Sequence, residues 1–87
     1  MVDPLTISGV ELKCARILLG WNVELVARYA GVGAAAVYAA EHDLAVAEQR
    51  RRAIVRALES GGIEFIPHGL RKRPSAGAAV SEELAIA

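Results

Sequence analysis

The chain has one cysteine, Cys14, so it cannot close an internal disulfide or build a metal site from several thiols. Aromatic residues make up only 5%, and the single tryptophan, Trp21, is expected in the core. No apolar run is long enough to span a bilayer, so no membrane partner is expected. The opening MVDPLT lacks a basic stretch followed by an apolar core; no signal peptide is expected, and the default location is cytoplasmic. An excess of one charge is missing too, because ten Lys and Arg balance ten Asp and Glu. That balance counts mildly against a nucleic-acid partner, since such domains are usually basic. There is no phosphate-cradling glycine loop, no nucleophile beside a base and no acid–base carboxylate pair, so neither an enzyme nor a cofactor is expected. His42 and His68 read as ordinary loop residues and not as metal ligands.

A length of 87 residues predicts one domain, small enough that self-association is attractive. Apolar residues reach 54%, many of them alanine. Charge is unevenly spread. Arg50, Arg51 and Arg52 form one basic cluster, and Arg71, Lys72 and Arg73 another. Asp3, Glu82 and Glu83 lie toward the ends, which leaves the central body somewhat positive.

The organising stretch is WNVELVARYAGVGAAAVYAAE, residues 21–41. Leu25, Val26 and Ala30, then Val32, Val37 and Ala40, supply apolar positions on either side of Ala30-Gly31-Val32-Gly33. A glycine there lets the backbone take a positive φ. The spacing predicts a short helix, a tight turn and a second short helix: a helix-turn-helix.

Residues 1–6, with Pro4, are expected to be a flexible lead-in. Ser8 and Glu11 have the capping-box spacing, and Ile7 and Leu12 can form a staple across it. Helix 1 is predicted over 9–19, with Val10, Cys14, Ile17, Leu18 and Trp21 on its core face and Cys14 a small core residue. Asn22 caps helix 2 over 23–29, and Gly33 caps helix 3 over 34–41 more weakly. Helix 4 is predicted over 47–60, its core stripe formed by Ala47, Ile54, Val55, Ala57 and Leu58. Ile63-Glu64-Phe65-Ile66 reads as one short strand stopped by Pro67. It needs a partner, either a later segment or the same strand of a second chain, and is the candidate dimer strand. Residues 68–87 read as a basic and then low-complexity tail, in which 81–87 could cap one last helical turn.

Several blocks together resemble the small bacterial regulators of the lambda-repressor-like, or xenobiotic-response-element, family. They are Ile7-Ser8-Gly9, Ala15-Arg16-Ile17-Leu18-Leu19-Gly20-Trp21, Val26-Ala27-Arg28-Tyr29-Ala30-Gly31-Val32, Glu41, and Ala57 through Ile66. The resemblance covers 7–67. It implies a mainly α fold, a bundle of four short helices containing the helix-turn-helix, followed by the strand and tail. It also implies a helix 1–helix 3 ion pair, Arg16 with Glu41, and a helix 3 that lies in the major groove. Such proteins usually offer Ser, Arg, Gln or Thr at the positions of Gly33, Ala34, Ala35 and Ala36. Alanines can touch a thymine methyl but donate and accept nothing.

The candidate DNA-binding residues are therefore Gly33, Ala34, Ala35, Ala36 and Tyr38 on helix 3, with Arg28, Arg50 and Arg51 toward phosphates. Each arginine has an alternative as a solvated side chain, and Arg51 sits where its stem could cover the core. Tyr38 could instead meet a protein. Arg16 could hold a phosphate or tie two helices together, and the structural role is preferred. Two functions follow. One is a homodimeric transcriptional regulator on double-stranded DNA. The other is a protein-interaction module, an antirepressor or antiactivator bound to another regulatory protein, on a scaffold that has lost its base-reading side chains.

Overall fold

A computed structural model of the chain describes residues 2–67 and 69–73. A single 3-10 turn, Pro4–Thr6, precedes four helices: α1 (Gly9–Leu18), α2 (Val23–Ala30), α3 (Ala34–Glu41) and α4 (Glu48–Ser60). Two antiparallel strands follow, β1 (Ile63–Ile66) and β2 (Gly69–Lys72). The fold is mainly helical. The expectations for His68 and for the tail beyond Arg73, including 81–87, lie outside the described residues.

Local chemistry sets the helix ends. The Glu11 amide donates to Ser8 Oγ at 3.2 Å and the Ser8 amide donates to Glu11 Oε1 at 2.9 Å, a reciprocal capping box. The Leu25 amide donates to the Asn22 side chain at 2.8 Å, which starts α2. Gly31 ends α2 at φ 71°. The Val32 amide then bonds back to the Ala27 carbonyl at 3.0 Å. A Cβ at Gly31 would strain this left-handed step, so glycine fixes the direction in which α3 leaves.

The core joins all layers. Ile7 and Leu12, Val26, Val37 and Ala40, Ile54, Val55 and Leu58, and Ile63 and Phe65 form one buried cluster. Trp21 is half-buried and packs against it. A methyl on Gly61 would collide with the Trp21 ring, so the indole rests on that glycine.

Three expectations are corrected. The buried face of α1 is Gly9, Leu12 and Ala15, while Val10, Cys14, Ile17 and Leu18 are exposed. At Gly9 α1 approaches α3 closely: a methyl there would overlap the Ala40 and Glu41 carbonyl oxygens. Ala47 is an exposed cap, outside the α4 stripe. Within residues 2–6, Pro4–Thr6 form the single turn, in which Asp3 Oδ1 accepts from the Leu5 amide at 2.9 Å. Finally, β1 is not a lone strand: of the two partners left open, it takes the later segment, Gly69–Lys72. Ile63 lies opposite Lys72, Glu64 opposite Arg71, and Phe65 opposite Leu70. Glu64 and Arg71 form a cross-strand ion pair at 2.9 Å, and Leu70 packs on the core.

Candidate functional site

The α2 and α3 axes are bent by 112° across the short Gly31–Gly33 connection. α3 is thereby divided into two faces. Val37, Ala40 and Glu41 are buried. Gly33, Ala34, Ala35, Tyr38 and His42 are exposed, and Ala36 and Ala39 are half-buried on the flanks. No side chain caps the α3 N-terminus.

The inner face is held by charge. Arg16 Nε donates to Glu41 Oε2 at 2.6 Å and Arg16 Nη2 to Oε1 at 3.1 Å, a bidentate pair. Arg16 Nη1 also donates to the Trp21 carbonyl at 3.1 Å. Side-chain exposure is 14% for Arg16 and 4% for Glu41. With its donors committed and its guanidinium mostly covered, Arg16 acts as a tie between α1 and α3. Beside it the Gly9 amide donates to Asp43 Oδ1 at 2.9 Å, so α1 begins against the residue pair that ends α3.

On the outer face the Tyr38 and His42 rings stack, with centroids 4.1 Å apart and planes inclined by 26°. His42 Nδ1 lies 2.9 Å from the Tyr38 carbonyl oxygen, which can only accept, so this contact requires the proton on Nδ1. Tyr38 is held by a neighbour one turn away, which limits its rotamers. His42, expected in a loop, stands one turn beyond Tyr38, and that i, i+4 spacing is the signal the sequence holds.

The candidate phosphate-binding arginines separate. Arg28 and Arg50 are exposed and form no ion pair among the described residues. Arg51 is half-buried, and its guanidinium donates to the Ile7 carbonyl, which binds α4 to the segment before α1. Its head is therefore occupied. Arg52 pairs with Glu48 at 3.0 Å. Of the Arg50–Arg52 cluster, only Arg50 presents an uncommitted guanidinium among the described residues. In the second cluster Arg71 pairs with Glu64, and Arg73 donates to the Glu59 carbonyl. The Arg71 hydrogen bond holds the Glu64 carboxyl below its ordinary value, and Glu64 correspondingly raises Arg71.

The candidate dimer strand, Ile63, Glu64, Phe65 and Ile66, spends one edge on β2. Pairing with a second chain would have to use its other edge. Among the described residues no group of three His, Cys, Asp or Glu could hold a metal ion. No single described helix is long and apolar enough to cross a membrane. No protein-family model matches the chain, and no curated protein matches it.

Proposed function

We propose that this chain is a DNA-binding transcriptional regulator of the lambda-repressor-like kind. It acts as a dimer and lays α3 in the major groove, with α2 and α3 as its helix-turn-helix. The observation that carries this reading is the exposed face of α3, which leaves the body at 112° to α2. That angle lies within the range expected of such a motif. Arg28 and Arg50 supply the phosphate contacts, helped by the uncapped amides at the start of α3. All ten Lys and Arg precede residue 74, whereas Glu82 and Glu83 follow it, so residues 1–73 are more positive than the whole chain. Base preference is modest. It rests on Tyr38 and on methyl contacts from Ala34 and Ala35, with Ala36 at the margin.

One observation favours a second reading. The outward face of α3 offers two methyls and an aromatic stack, and no flexible hydrogen-bonding side chain of the kind that reads base edges. Such a face suits a protein partner, which gives an antirepressor or antiactivator. An electrophoretic shift on the DNA upstream of the chain's own gene separates the two. A regulator retards that DNA with a negative slope of log affinity against log salt. Absence of retardation at low salt, with capture of a protein that Tyr38→Ala releases, establishes the second reading in its place.

A further inference from the structure

A cavity of about 350 Å³ lies between α2 and α4, lined by Tyr29, Ala30, Ala53, Arg56, Ala57 and Ser60. Its volume falls within the range of small-molecule sites, and so does its make-up, apolar walls with a few polar groups. On α4 the four lining positions are spaced i, i+3, i+4, i+7, so one helix face supplies them. Ala30, Ala53 and Ala57 give the apolar part, together with the Tyr29 ring. That ring packs on Trp21, with centroids 4.9 Å apart.

The polar groups carry both signs. Arg56 is exposed and makes no hydrogen bond or ion pair among the described residues, whereas Arg51 and Arg52 of the same helix are both committed. Against this cation stands the end of α2. The Gly31 amide turns back to the Ala27 and Arg28 carbonyls and the Val32 amide to Ala27. The Tyr29 and Ala30 carbonyls therefore accept no backbone hydrogen bond among the described residues, and the helix end carries partial negative charge. The Ser60 hydroxyl donates to the Ala57 carbonyl at 2.8 Å, which leaves its oxygen free to accept. A plain anion would meet the negative helix end, and a plain cation would meet Arg56. A ligand with both charges offends neither.

We infer that this cavity binds a free α-amino acid with a small apolar side chain. The carboxylate meets the Arg56 guanidinium, whose planar fork matches it. The ammonium meets the acceptors at the end of α2 and Ser60 Oγ, and the side chain lies against Ala53 and Ala57. Ala30 directly precedes Gly31, the step that sets the direction of α3, so the occupant touches the base of that turn. The inference goes beyond the DNA reading and rests on the α2–α4 cavity alone, so either can fail without the other.

The experiment is a titration of the full chain with L-leucine, without DNA. It is followed by the emission of Trp21, the single tryptophan, and by two-dimensional amide NMR. A ligand this small is held with a Kd on the order of 1 mM. The expected result is a saturable change in Trp21 emission, with amide shifts concentrated at the cavity residues. Arg56→Gln raises the Kd at least about tenfold while circular dichroism stays unchanged, because the side chain is exposed and unpaired. Isocaproate, which lacks the ammonium, and leucinamide, which lacks the carboxylate, each bind at least about tenfold more weakly than L-leucine. Absence of a saturable response overturns the inference, as does a response that Arg56→Gln leaves unchanged. Equal binding of isocaproate overturns it too, since the cavity then takes any organic anion.

Discussion

The two sides of α3 are built from opposite materials. On the inner side Val37 and Ala40 are fully buried, and Glu41 meets Arg16 in a bidentate pair that also engages the Trp21 carbonyl. On the outer side stand Ala34, Ala35 and the Tyr38–His42 stack. The inner side joins apolar packing to a buried charge pair, and the outer side carries methyls and an aromatic stack. The difference separates what holds the helix from what the helix can offer. A buried pair fixes the position of α3 while adding little net stability, and an exposed face of methyls and rings is left free to meet a partner.

The largest break in this comparison comes from removing half of the inner pair. Glu41→Ala leaves the Arg16 guanidinium mostly covered and unpaired, and urea denaturation should show a loss of about 3–5 kcal/mol. An Arg16→Met/Glu41→Leu double variant should recover most of that loss, since removing both charges removes the uncompensated one. Next is Gly9→Ala. The added methyl overlaps the Ala40 and Glu41 carbonyls, and a thermal melt should record a destabilisation of about 1–3 kcal/mol.

Changes on the outer side sharpen the comparison by what they leave alone. Tyr38→Ala and Ala34→Gln should each alter stability by no more than about 0.5 kcal/mol in the same melts. In the DNA reading Ala34→Gln adds a side chain that can reach adenine, so it should shift sequence preference in a selection from random duplexes. The smallest effect belongs to the hairpin. The Arg71 hydrogen bond lowers the folded-state pKa of Glu64, so its contribution is present above the ordinary glutamate value of 4.5 and fades as pH falls through the folded value. Glu64→Gln should flatten that part of the acid limb in a pH series of melts, and salt should shrink the difference because both groups are exposed.

Legibility in the sequence followed the chemistry that acts locally. Ser8 with Glu11, Asn22, Gly31 and Gly33 mark helix ends through local chemistry, and α1, α2 and α3 start where those signals place them. The face that α1 buries was not legible. Apolar residues lie on both of its sides, Leu12 and Ala15 on one and Val10, Cys14, Ile17 and Leu18 on the other, so periodicity alone selects the wrong one. The buried side is the one on which Gly9, without a side chain, lets α1 approach the Ala40 and Glu41 carbonyls. β2 was missed because Gly69-Leu70-Arg71-Lys72 has no β-branched residue; its pairing comes from register against β1. In the candidate site, the triad of alanines and Tyr38 could be placed on α3 from spacing. The occupation of Arg51 by the Ile7 carbonyl depends on a contact 44 residues away in the chain, which no local pattern records.

The central claim is that the outer face of α3 is the surface that meets DNA. Two-dimensional amide NMR of the full chain, with a random-sequence duplex added at low salt, tests it most directly. The account predicts shift changes concentrated at Gly33 through Tyr38 and at Arg28 and Arg50, fading as salt rises. A spectrum that the duplex leaves unchanged, or changes confined to the hairpin at 69–73, would contradict it.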